Sequence, residues 1–82
     1  MADRRSAQRH RTFKGGRIIT AQPPAEKDCL IRNLSDFGAC LEIDSSLISA
    51  DEFNLVIKPE NFIRICRVAW RKPQKIGVRF VV

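Results

Sequence analysis

Apolar residues recur at every second position along much of the chain, and this spacing restricts the fold more than any other feature. In FNLVIK (53–58), the side chains of Phe53, Leu55 and Ile57 share one phase. The segment KIGVRFVV (75–82) repeats the pattern. Because successive side chains of a β-strand point to opposite faces, a period of two predicts strands with one buried face. No stretch has the apolar spacing of an amphipathic helix.

Six segments have this strand-like character, and turn-forming residues separate them. They are RIITAQ (17–22), KDCLIRNLS (27–35), ACLEID (39–44), FNLVIK (53–58), NFIRICRVAWR (61–71) and KIGVRFVV (75–82). Short strands that recur about every ten residues indicate an all-β barrel or sandwich. A barrel suits a chain of 82 residues, because closure of the sheet removes its exposed edges.

The fifth segment contains a break in phase. Ile63 and Ile65 fall on one face of a regular strand, whereas Cys66, Val68 and Trp70 fall on the other. A β-bulge near Ile65–Cys66, or a strand buried on both faces, would account for this pattern.

The positive charge is concentrated at the start of the chain. Residues 1–17 carry six basic residues against one acidic residue, for a charge of +5, whereas residues 18–82 carry nine against eight, for +1. A cationic leader on a near-neutral body predicts an anionic partner. We expect residues 1–14 to form a flexible basic arm and residues 15–82 to form the barrel.

Several protein classes are disfavoured by the sequence. The chain has no apolar run of membrane-spanning length and no secretory leader, so we expect a cytoplasmic protein without a membrane span. Cys29, Cys40 and Cys66 are odd in number and form no CxxC pair, which predicts reduced cysteines in the core. His10 is the single histidine, so we predict no metal site.

Catalytic motifs are also missing from the sequence. No serine lies in a GxSxG motif, no nucleophile is paired with a base, and the glycines do not form a phosphate-binding loop. We therefore expect a protein that binds rather than an enzyme.

Two short motifs suggest what is bound. In RRSAQR, Arg5 and Arg9 are three residues apart, and guanidinium groups both bind phosphate and stack on purines. The alternative is a solvated charge run. In RNLSDFGA, Asn33 and Ser35 are at strand spacing on one face, and Gly38 allows a sharp turn or the close approach of a ligand. The alternative here is an ordinary hairpin whose turn is held by Ser or Asx bonding.

Taken together, the motifs resemble those of the PilZ domain family, which carries RxxxR followed by (D/N)xSxxG. The leader RRSAQRHRTFKGGRI and the closing VAWRKPQKIGVRFV also resemble the family, so that the similarity extends over nearly the whole chain. It implies a six-stranded antiparallel β-barrel that binds the bacterial second messenger cyclic di-GMP, with no other cofactor. The ligand-binding residues implied are Arg4, Arg5, Arg9, Asn33, Ser35 and Gly38.

The resemblance also implies a role for each of these residues. Arg5 and Arg9 would grip the phosphates and stack on the guanines, while Asn33 and Ser35 would bond a guanine edge or a phosphate. Arg4 precedes the motif at a position that in the family helps decide between one ligand and an intercalated pair, and an arginine there favours the pair. The arm would order over the ligand and change the surface shown to an unidentified downstream protein.

The sequence leaves other interpretations open. A small barrel that binds nucleic acid would use the same basic leader, although the chain has no tyrosine and only one tryptophan for stacking on bases. A PilZ-like module that binds protein without a nucleotide is a further alternative. Asn33 stands where the family more often has Asp, and the helix that often follows the barrel is missing. We expect Trp70 in the core or at the barrel rim and Arg79 in solvent.

Overall fold

The computed structural model describes residues 10–81, which form a closed antiparallel barrel of six strands. The strands are β1 (His10–Ala21), β2 (Pro24–Leu34), β3 (Gly38–Glu42), β4 (Glu52–Ile57), β5 (Phe62–Lys72) and β6 (Lys75–Phe80). Around the barrel they follow the order β1-β2-β3-β6-β5-β4, and β4 pairs with β1 to close the ring. The predicted all-β barrel is therefore confirmed.

The first strand begins earlier than the apolar pattern indicated. His10 lies opposite Leu34 and Arg11 lies opposite Asn33, so residues 10–14 belong to β1. The prediction had placed these residues in the arm because they have almost no apolar content. Backbone pairing with β2 extends the strand here, and backbone hydrogen bonds do not depend on apolar side chains.

Alternate side chains of all six strands fill one core. The buried apolar residues are Ile18, Ile31, Leu41, Ile43, Ile48, Phe53, Leu55, Ile57, Cys66, Ile76, Val78 and Phe80. The partly buried side chains of Cys29, Leu34, Ala39 and Val68 pack against them. This arrangement follows from the period of two in the sequence, since it gives each strand one apolar face.

A connection without strand structure links β3 to β4, and it contains a 3-10 helix at Ser45–Leu47. Arg71 holds this connection by donating hydrogen bonds to the carbonyl oxygens of Ile48 and Ala50. Its guanidinium also lies 3.1 Å from the Asp51 carboxylate. Within residues 10–81, no helix is long and apolar enough to cross a membrane.

Three interruptions of register decide which face the neighbouring side chains take. One extra residue lies in β1 between Arg11 and Lys14, one in β2 between Ile31 and Asn33, and one in β5 between Val68 and Trp70. An extra residue reverses the face of every side chain that follows it.

The bulge predicted near Ile65–Cys66 is wrong. Cys66 continues the regular pairing of β5 with β4, and the extra residue lies further along the strand. The phase break has another cause, because Ile63 and Ile65 lie on the outer face and are exposed.

Leu55→Ala should lower the free energy of unfolding by about 2–5 kcal/mol, because it leaves a cavity in the centre of the core. Leu55 is fully buried, whereas Leu47 on the 3-10 helix is exposed. Leu47→Ala is the matched control and should cost about 0.5 kcal/mol or less. Urea unfolding followed by circular dichroism measures both, and equal losses would contradict the core described here.

Candidate functional site

Four residues from four strands form a row across the outside of the barrel. Asn33 on β2 lies opposite Cys40 on β3, Cys40 lies opposite Gly77 on β6, and Gly77 lies opposite Trp70 on β5. The row faces outward because the neighbours of Gly77 in β6, Ile76 and Val78, are both buried.

The two ends of the row face outward because of the bulges. In a regular β2, Asn33 would share the inward face of Ile31, but the extra residue turns it outward. In a regular β5, Trp70 would likewise share the inward face of Val68. Both side chains therefore reach the same outer surface from opposite sides.

Trp70 lies flat across β6 because Gly77 has no side chain. A Cβ atom at Gly77 would lie only 2.1 Å from Cε2 of the indole, so no other residue fits beneath the ring. The indole covers the Gly77 backbone and remains 43% exposed. The indole thus packs against the barrel surface, and the Lys72 ammonium lies over the ring at 5.5 Å from its centroid.

An open groove of about 240 Å³ lies beside this indole. It is lined by Asn33, Leu34, Ser35, Gly38, Ala39, Cys40 and Trp70. None of these seven side chains carries a charge. The side-chain amide of Asn33 forms no hydrogen bond with any residue that the structure describes, so its donor and acceptor are available to a ligand.

The hydroxyl of Ser35 closes the turn between β2 and β3. Its oxygen accepts hydrogen bonds from the backbone N–H groups of Phe37, at 3.1 Å, and Gly38, at 3.3 Å. The hydroxyl also donates to the Gly38 carbonyl oxygen at 3.4 Å. The turn-bonding alternative therefore describes this side chain, and Ser35 shapes the rim of the groove through these bonds.

Gly38 is required for a reason other than a sharp turn. It has no positive φ, unlike a glycine that serves a left-handed turn. A Cβ atom at this position would lie 2.2 Å from the carbonyl oxygen of Val78 on β6. The structure shows a packing role for Gly38, since the missing side chain allows β3 to approach β6 closely at the groove.

The predicted binding residues divide into two groups. Asn33, Ser35 and Gly38 all line the groove. Arg4, Arg5 and Arg9 lie outside the described residues. The strand that follows RxxxR in the chain begins at His10, whose partner Leu34 is also part of the groove.

Trp70 is the groove residue whose position the sequence analysis missed. It is not in the core, because its side chain lies exposed on the outer face near the end of β5. The signal in the sequence was Gly77, a glycine between Lys75 and Arg79 on the outward face of the last strand. Arg79 lies opposite Gly38 and is exposed as expected, but it does not line the groove.

The three cysteines occupy different environments. Burial raises the pKa of the Cys29 thiol to about 12, and the charge of Asp28 adds to this effect. Burial likewise raises the pKa of the Cys66 thiol to about 12, although Arg64 opposes the shift. Cys40 departs from the predicted core location, because it faces outward into the groove. In the described part of the chain, no three His, Cys, Asp or Glu residues are placed to hold a metal ion.

No protein-family model matches this chain, and a search of curated proteins found no match.

Gly77→Ala should displace the indole of Trp70 and shift its fluorescence emission to longer wavelength as solvent reaches it. Trp70 is the single tryptophan of the chain, so the emission reports on this site alone. Gly15→Ala is the matched control, because nothing lies within 4 Å of a Cβ atom at that position. An unchanged spectrum in Gly77→Ala would contradict the position of the indole.

One thiol should react rapidly with an aromatic disulfide reagent at pH 8 in the folded protein. The raised pKa values keep Cys29 and Cys66 protonated and unreactive until the protein unfolds, whereas Cys40 faces solvent. Cys40→Ser should remove the fast phase. Two or three fast thiols in the native protein would contradict the buried positions of the other cysteines.

Proposed function

We propose that the chain binds cyclic di-GMP on the outer face of the barrel, with one guanine in the groove and the phosphates held by the arm. One observation carries this proposal. The three described residues of the NxSxxG motif line a single groove beside an exposed indole, where the strand from RxxxR joins the barrel. The motif's resemblance to the PilZ family supplies the identity of the ligand.

The size of the groove suits part of such a ligand. A volume of about 240 Å³ lies below the range of about 300–1,000 Å³ that is typical of sites for whole drug-sized molecules. One base would occupy it and stack on Trp70 in place of the Lys72 ammonium, which now lies over the ring. The amide of Asn33 would then bond the base edge with both its donor and its acceptor.

The negative charge of the ligand would be neutralised by the arm rather than by the groove. Cyclic di-GMP carries two phosphate charges, and the lining of the groove is neutral. Arg9 directly precedes His10, and Arg5 lies five residues before it, within a reach of about 17 Å of extended chain. Both guanidinium groups would reach phosphates that project from the groove, and Arg4 would strengthen the same field.

Because the groove would bind the base and the arm would bind the phosphates, binding could be signalled by the arm. The arm would wrap over the ligand and present a changed surface to a downstream protein, so that the chain acts as a receptor without catalysis. Ser35 would keep the turn in shape, and the close contact of Gly38 with β6 would keep the groove open at that end.

Calorimetric titration with cyclic di-GMP at about physiological salt tests the proposal. We expect saturable binding with a Kd in the micromolar range or tighter, and no binding of GMP. Arg9→Ala should abolish binding, because a phosphate loses its charged partner. Asn33→Ala should weaken it at least about tenfold, because each lost hydrogen bond to a base is worth about 1–2 kcal/mol.

Asn54→Ala is the matched control for Asn33→Ala. Asn54 is also an outward-facing asparagine, but it lies on β4 and should leave the Kd unchanged. No heat with cyclic di-GMP would overturn the receptor proposal in favour of a protein-interaction module. Binding to a single-stranded oligonucleotide that falls steeply between low and moderate salt would favour the nucleic-acid alternative.

A further inference from the structure

Aliphatic side chains cluster around Asn54 on the outside of the barrel, on the side away from the groove. We call this surface, which comprises Ile19, Val56, Ile63, Ile65 and Val81, the aliphatic face. Three of these residues are exposed: Ile63 at 64%, Ile65 at 48% and Val81 at 38%.

The register of three strands and the end of a fourth brings these residues together. Val56 on β4 lies opposite Ile63 on β5, and Ile65 follows on the same face of β5. Ile19 on β1 lies opposite Asn54, which in turn lies opposite Ile65, so one exposed amide lies within the aliphatic face. The backbone N–H of Val81 donates to the carbonyl oxygen of Ile65 at 2.8 Å, which places Val81 next to Ile65.

These side chains face away from the core, so the barrel does not need them to be apolar in order to fold. Soluble single chains rarely expose contiguous apolar surface beyond a few hundred Å², and such a surface marks an interaction site. In the strand order, β4 is opposite β3, so the aliphatic face and the groove lie on opposite sides of the barrel. A partner seated here would leave the groove open.

The two margins of the aliphatic face carry opposite charge. On the side of β2, Glu26 and Asp28 flank Arg17, for a net charge of −1. On the side of β6, Arg67 and Arg79 lie directly opposite each other, and the single nearby acid is Glu52, 3.9 Å from Arg67. This second margin has a net charge of +1. No described residue forms an ion pair with Arg79.

We propose that two copies of the chain associate through their aliphatic faces, about a two-fold axis that runs along β4 and β5. Such an axis places the acidic margin of one copy against the basic margin of the other, twice, with aliphatic side chains between them. A face with complementary margins matches itself in this way, as an isologous interface requires. This proposal is independent of the proposed ligand.

The proposed interface consists of side chains and needs no added strand. Each strand pairs with two neighbours around the barrel, but within the described part of the chain, residues 10–14 of β1 and 24–29 of β2 have a backbone partner on one side only. The aliphatic face comprises far fewer residues than the roughly 20–30 that each partner contributes to a standard interface. The dimer should therefore be weak, with a dissociation constant of about 10 µM or more.

Sedimentation equilibrium of the full chain tests the proposal, at concentrations from about 5 to 500 µM around the expected dissociation constant. The wild-type protein should shift from monomer to dimer over this range, and Ile65→Asp should weaken the dimer at least about tenfold, because it buries a charge. Leu47→Asp is the matched control, since Leu47 is 49% exposed and lies outside the aliphatic face. It should dimerise as the wild type does.

A pair of charge reversals tests the symmetry of the interface. Asp28→Lys changes the acidic margin from −1 to +1, and Arg79→Glu changes the basic margin from +1 to −1. Each variant alone should be monomeric, because like charges then face each other. In an equimolar mixture, opposite margins meet again on both sides of the axis, and a mixed dimer should form.

Thermal melting by circular dichroism establishes that each variant is folded before its mass is measured. A wild-type protein that stays monomeric over the whole range would overturn the proposal and leave the aliphatic face to a different protein. Equal dimerisation of Ile65→Asp and Leu47→Asp would also overturn it, as would a mixture of the charge variants that stays monomeric.

Discussion

The pairing of β1 with β4 is the contact on which the rest of the barrel depends. Backbone partners run from Gly16 opposite Ile57 to Ile19 opposite Asn54, and the Lys58 N–H extends the contact by bonding the Gly15 carbonyl oxygen at 3.0 Å. Closure gives the side chains of the paired strands an inner or an outer position. The inner positions form the core, so the proposed ligand would have to bind on the outer surface.

Bulges determine which side chains lie on that outer surface. An extra residue in β2 turns Asn33 outward, and an extra residue in β5 does the same for Trp70. The two side chains face one groove because β3 and β6 between them carry small residues, Cys40 and Gly77, at the corresponding outward positions. A barrel with regular strands would direct the indole into a core that has no room for it.

The two proposals use opposite sides of the same barrel. In the proposed receptor, a neutral groove orients a base while a basic arm supplies the charge, so that recognition and attraction reside in different parts of the chain. In the proposed dimer, the aliphatic face on β4 and β5 leaves the groove of each copy unobstructed. Association and ligand binding would then occur together without steric conflict.

The sequence by itself determined the strand class, the approximate strand positions and the residues Asn33, Ser35 and Gly38 of the groove. It did so because side-chain alternation and turn chemistry are local properties. Only the tertiary structure decided the register shifts, the outward position of Trp70 and the exposure of Ile63 and Ile65. These depend on which residue lies opposite on a neighbouring strand, and that pairing joins segments distant in the chain. An apolar side chain has the same letter in the sequence whether the barrel turns it inward or outward.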